Sequence, residues 1–161
     1  MGTGFFGNFG HTYGARAGDA VFQSKPGQFF TNIANRSDID RNGFFDVVAH
    51  GGTTIIQVTH NGQVIEIDSR IAAKLIKSKE NYKRGKPIRL LSCNTGGSKE
   101  GFAQNLANKL GVIVEAPTKL IWAYPNGKYI VADRRKDNPQ LPDLKNRGIF
   151  KKFYPGGNKN E

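Results

Sequence analysis

The sequence predicts an α/β fold, a mostly parallel sheet flanked by helices, with added β-hairpins. Two apolar runs lead to that reading: Phe44-Phe45-Asp46-Val47-Val48-Ala49-His50-Gly51 and Pro87-Ile88-Arg89-Leu90-Leu91-Ser92-Cys93-Asn94. Each is short and stops at a chemically capable side chain followed by glycine or polar residues, the pattern of a buried strand in a parallel sheet. A second signal is Asn61-Gly62 between two apolar segments. Asn-Gly marks a hairpin because both turn residues need positive φ. The third is order: strand, hairpin, helix, strand, helix, strand, hairpin. Alternating strands and helices imply right-handed crossovers and helices on both faces of the sheet.

Taken along the chain, residues 1–20 form a Gly-rich entry segment, six glycines interleaved with Phe5, Phe6, Phe9 and Tyr13. A short helix is expected over Gly27–Ala34 after Pro26, then a polar stretch turning at Asn42-Gly43. The hairpin pairs Thr54–Thr59 with Gln63–Ile67 around His60-Asn61-Gly62. Asp68 is a credible N-cap for a helix from Ser69 to about Lys79. Ile71, Ala72, Leu75 and Ile76 line one face of that helix, and Arg70, Lys74 and Lys77 the other. Gly85 and Pro87 close this unit before the Cys93 strand. A helix from about Lys99 to Leu110 then turns Phe102, Ala103, Leu106 and Leu110 inward, and Val112–Val114 forms a further strand. A second hairpin, Lys119–Ala132, turns at Pro125-Asn126-Gly127. Residues 133–161 read as a basic tail. The whole chain, 1–161, is expected to be a single domain.

At 161 residues the chain is long enough to enclose a core. No segment approaches the roughly 18 apolar residues that cross a membrane. The N-terminus lacks a basic region followed by an apolar one, so it does not read as a signal peptide. That points either to a cytoplasmic protein or to a piece of a larger, exported one. One cysteine excludes an internal disulfide and a thiolate-rich metal cluster. No metal or nucleotide cofactor is expected: three scattered histidines offer no ligand spacing, and no Gly-x-Gly-x-x-Gly or Walker pattern follows a strand. The formal charge of +11 fits binding to nucleic acid, an anionic membrane or an acidic protein, and equally a generally solvated basic surface.

If both apolar runs belong to one sheet, His50 and Cys93 sit at neighbouring carboxyl ends, where open α/β sheets place their ligand crevices. A nearby imidazole can activate the thiol and later protonate a leaving group. Gly51 lets a substrate backbone approach closely, and the N–H groups of Gly51 and Cys93 are the kind of donor that holds an oxyanion. A helix starting soon after Cys93 would add a dipole favouring thiolate. Asn94 and Trp122 are the candidate substrate-binding residues, Trp122 as a wall of a specificity pocket. Asp46 faces the same way as His50 but lies about 13 Å back along the strand, too far to orient it.

These blocks resemble the signature of the caspase-like cysteine peptidases. In that family one hydrophobic strand ends in His-Gly and the next parallel strand in a small residue plus Cys. His50 and Cys93 are 43 positions apart. Leu90-Leu91-Ser92-Cys93-Asn94-Thr95-Gly96 followed by Gly101-Phe102-Ala103-Gln104-Asn105-Leu106-Ala107 is most similar to the bacterial branch, which includes self-processing domains of secreted toxins. The match spans roughly residues 44–132. The resemblance implies a caspase-like α/β sandwich and a catalytic dyad of Cys93 and His50, with Gly51 and Cys93 amides as oxyanion hole and a protein or peptide as substrate. The caspase Gln-Ala-Cys is absent. In style the chain is also similar to C-terminal modules of bacterial polymorphic toxins, which implies secretion within a larger protein, action in a target-cell cytoplasm and an acidic immunity protein as partner.

The main alternative is a basic toxin nuclease acting on RNA or DNA. His11, His50 and His60 with Arg134-Arg135-Lys136 or Lys151-Lys152 would supply its acid–base and phosphate groups. Cysteine phosphatase chemistry fits poorly, because the sixth residue after Cys93 is Lys99 where a bidentate guanidinium is required. Other thiol acyl transfers use the same dyad.

Overall fold

A computed structural model describes residues 19–22, 27–39 and 43–156. In chain order the elements are β1 (Asp19–Val21), α1 (Gln28–Ala34), β2 (Phe45–Val48), β3 (Ile56–His60), β4 (Gln63–Ile67), α2 (Ser69–Lys77), β5 (Ile88–Leu91), α3 (Phe102–Leu110), β6 (Val114–Pro117), β7 (Leu120–Ala123), β8 (Tyr129–Arg134), β9 (Pro142–Arg147) and β10 (Phe150–Phe153). The central sheet has the order β1-β2-β5-β6-β10. Its first four strands are parallel and β10 runs antiparallel to β6. The protein is therefore mixed α/β with a mostly parallel sheet, as its apolar runs predict. A two-stranded sheet (β3-β4) and a three-stranded one (β7-β8-β9) are added to it.

Strand alternation divides the core in two. Phe45, Val47, Ala49, Ile88, Leu90, Val114 and Ala116 face one way, against α2, α3 and the β3–β4 hairpin. Val48 and Leu91 face the other way and meet Phe30 and Ile33 of α1 with Ile121 of β7 and Val131 of β8. Successive strand side chains point to opposite faces, so each run buries both of its faces and is apolar except for Asp46 and Arg89, which pair with each other. That is why the two runs lack polar alternation.

Local chemistry sets several boundaries. Asn61 and Gly62 take φ of 51° and 78°, the positive values the β3–β4 turn requires. The Asp68 carboxylate accepts the Ile71 N–H at 3.0 Å and caps α2. The helix after Cys93 begins at Phe102, three residues later than the Lys99 expected from periodicity, and ends at Gly111 with φ 67°. The third strand begins at Val114, where the sequence places its end. Residues 133–156, expected as a basic tail, carry the end of β8, then β9 and β10, and β10 pairs Phe153 with Val114 at the sheet edge. Most of the Gly-rich entry segment, residues 1–18, lies outside the described residues, as does His11. Among the described residues no helix is long and apolar enough to cross a membrane.

Candidate functional site

The β2–β5 register assembles the site. Asp46 pairs with Arg89, Val47 with Leu90 and Val48 with Leu91. The Ala49 N–H continues the ladder by donating to the Leu91 carbonyl at 3.4 Å. Two residues beyond the Val48–Leu91 pair stand His50 and Cys93, each just past the carboxyl end of one of these adjacent parallel strands. The sheet face that carries Val48 and Leu91 also carries Cys93, which packs with the cluster of Phe30, Ile33, Ile121 and Val131.

Gly51 makes that proximity possible. A Cβ there would lie 2.8 Å from Thr95 Cγ2, 2.9 Å from Ser92 Cβ and 3.1 Å from the Cys93 carbonyl. The segment after His50 thus lies directly on the Cys93 backbone, with no room for a side chain. The β3 strand anchors it from the other side: the Gln57 N–H donates to the His50 carbonyl and the Gly52 N–H to the Ile55 carbonyl. Among the described residues no backbone acceptor takes the N–H of Gly51 or of Cys93.

His50 is exposed, with its ring edge-on to Phe30 at 4.8 Å and tilted against Phe29 at 6.0 Å, both from α1. Burial of the ring against these aromatics lowers its pKa below the ordinary imidazole value. Burial pushes the Cys93 thiol up, and the Ile121 N–H and the Arg134 charge offset that only in part. Both shifts disfavour the charged form of the group concerned.

The helix-dipole expectation for Cys93 is corrected. Eight residues, a series of turns and bends, separate Cys93 from α3. The first α3 amides are engaged elsewhere: Phe102 N–H donates to Thr53 O and Ala103 N–H to Thr95 O. The donor that reaches the sulfur is the Ile121 N–H of β7, at 3.3 Å.

Asn94 adopts φ 64°, one of the few positive values at a non-glycine residue. Its N–H donates to the Lys119 carbonyl and its carbonyl accepts from the Gly97 N–H, so its backbone fastens the Cys93 loop to the start of β7. Trp122 donates its Nε1–H to the Ala132 carbonyl at 3.0 Å, and the Arg134 guanidinium stands 5.9 Å over its ring. Strand alternation puts Trp122 on the face of β7 opposite Ile121. The tryptophan therefore braces the outer face of the β7–β8 sheet beside the site, while the Ile121 backbone reaches the thiol. His60, a candidate under the nuclease reading, ends β3 at the far turn of the hairpin, next to Asn61.

The same face holds a buried charge network below the dyad. Asp46 Oδ2 accepts from Arg36 Nη2 at 2.9 Å and from Arg89 Nη2 at 2.6 Å. Arg89 Nη1 donates to Asp38 at 3.0 Å and to the Tyr129 hydroxyl at 2.7 Å, and that hydroxyl also bonds Asp38. Sequence spacing carried a signal for it, since Asp46 and Arg89 each stand four residues before a dyad member. The Phe29–Phe30 wall and the Ile121 amide carry no comparable signal.

Fold and site together describe an α/β sandwich with a histidine and a cysteine at adjacent strand ends. Residues 20–131 match the family described as a domain of unknown function (DUF8616), and the chain belongs to that family. No curated protein and no solved structure matches it.

Proposed function

We propose that this domain is a cysteine-dependent hydrolase, most simply a peptidase, with Cys93 as nucleophile and His50 as general base. The observation that carries the reading is the β2–β5 register, whose last pair, Val48–Leu91, lies two residues before both His50 and Cys93. In the reaction His50 takes the thiol proton while Sγ attacks the scissile carbonyl carbon. The amides of Gly51 and Cys93 hold the oxyanion, and His50 then returns the proton to the leaving amine as the thioester forms. Water, deprotonated by His50, hydrolyses the thioester and frees the enzyme. The resemblance to caspase-like peptidases supports the same assignment. The finer reading, a toxin effector released from a larger secreted protein into a target cell and restrained by an acidic partner, rests on that resemblance and on the charge of +11.

The test is cleavage of a peptide library by the full chain. Cys93→Ala and His50→Ala are each expected to lower kcat/KM by about a thousandfold or more while the fold is retained. In the wild type the acid limb of kcat/KM falls below the ordinary imidazole pKa, because burial lowers that of His50. Activity that survives Cys93→Ala overturns the assignment.

A further inference from the structure

The edge of β7 that meets Cys93 is fastened at both ends. Ile121 stands opposite Val131, whose carbonyl accepts from the Gly148 N–H on the β9 side. The Ile121–Val131 pair is therefore a non-bonded one, and the Ile121 N–H and C=O point off the sheet toward Cys93. They hold the sulfur at 3.3 Å from the nitrogen and 4.0 Å from the oxygen. The next outward carbonyl, Ala123 O, accepts from Asn32 Nδ2 of α1 at 2.9 Å. Asn32 is buried and is oriented by Gln28, whose Nε2 donates to its Oδ1 at 2.8 Å. One turn further, Asn35 Nδ2 donates to the Pro125 carbonyl at 3.0 Å. A Cβ on Gly127 would lie 2.1 Å from the Asn35 carbonyl, so the hairpin turn is seated hard on the end of α1.

We propose that the β7–β8 hairpin is a latched lid over the Cys93 thiol, released when the bonds from Asn32 and Asn35 open. The proposal rests on Cys93 being the nucleophile of the reading above. Closed, the lid places the Ile121 peptide against the sulfur and blocks one side of its approach. Open, the sulfur is hydrated and exposed to a substrate carbonyl. The latches are two side-chain amides, one on the last residue of β7 and one, exposed to solvent, on the turn that follows it. Contacts of that kind open locally far more often than the sheet unfolds.

Cys93 is the sole cysteine, so iodoacetamide labelling of the full chain reports its access directly. The rate is measured at neutral pH in the wild type, in Asn32→Ala/Asn35→Ala and in Ile76→Val, a control on the opposite face of the sheet. The double variant is expected to label about tenfold faster than wild type, from the loss of two hydrogen bonds, with Ile76→Val unchanged. Asn35→Ala alone, at the solvent-exposed latch, is expected to give about a threefold rise and covers the case in which the double variant does not fold. A wild-type rate in the latch variants, or an equal rise in the control, overturns the lid. Repeating the series in His50→Ala separates the two proposals: a latch effect that persists there supports the lid on its own. Labelling that is indifferent to His50 at every pH counts against the dyad and leaves the lid standing.

Discussion

Gly51 is the residue on which the strand-end geometry turns. The atoms its Cβ would meet belong to Thr95 and Ser92, both fully buried, and to the Cys93 carbonyl, so none can withdraw without moving the β5 end. Gly51→Ala is expected to destabilise the fold by about 1–3 kcal/mol through overpacking. It should also reduce any Cys93-dependent activity by more than that loss of folded protein explains, because the clash separates His50 from Cys93. Gly52→Ala is the matched control, since the nearest atom to its Cβ is Ile55 Cδ1 at 4.0 Å. Thermal unfolding and kcat/KM of the two variants check the claim, and equal effects would refute it. Cys93 shows the same dependence on its neighbours. Its sequence position suggested a helix dipole, yet the group that meets the sulfur is a backbone amide from a strand 28 residues further on.

At the scale of elements, the parts legible in the sequence are those fixed by local chemistry. Asn61-Gly62 specified a turn because positive φ is costly for other residues, and Asp68 specified the start of α2 because its carboxylate can accept the Ile71 N–H. Replacing Asp68 by alanine is expected to cost about 1 kcal/mol, seen as a lower thermal midpoint with Cys93 labelling unchanged. A change in labelling would mean that α2 reaches the site after all. The elements the sequence concealed depend on distant partners. Pro142–Arg147 and Phe150–Phe153 show no apolar alternation, and both are strands through pairing, with β8 and β6 respectively. At the start of α3 the chain packs against a distant segment: a Cβ on Gly101 would lie 2.5 Å from the Thr53 carbonyl, which accepts the Phe102 N–H. Within the site, His50, Gly51 and Cys93 were legible because a strand must end somewhere, and these runs end on reactive side chains. The Ile121 amide was not, because a backbone donor has no sequence signature.

At the scale of the molecule, the Asp46–Arg89 cluster joins every layer that frames the site. Asp46 is on β2 and Arg89 on β5, the strands that carry His50 and Cys93. Arg36 and Asp38 come from the segment after α1, and Tyr129 from β8. Burial works against the Arg89 charge, but its bonds to Asp46 and Asp38 outweigh that and push its pKa above the ordinary value. Removing one partner leaves the other charged and out of water. Asp46→Ala is therefore expected to cost about 3–5 kcal/mol in urea unfolding, as for other broken buried pairs. Arg89→Met should be costly for the same reason. If the two act as one unit, Asp46→Ala/Arg89→Met loses less than the sum of the single variants by at least about 1 kcal/mol. High salt separates this cluster from the exposed Lys119–Asp133 pair at 2.8 Å: screening weakens the exposed pair and leaves the buried one nearly unchanged. Strictly additive losses would show instead that Asp46 and Arg89 are held independently, Asp46 by Arg36 and Arg89 by Asp38 and Tyr129. In that case the ends of β2 and β5 that lead to His50 and Cys93 are aligned by their backbone ladder alone.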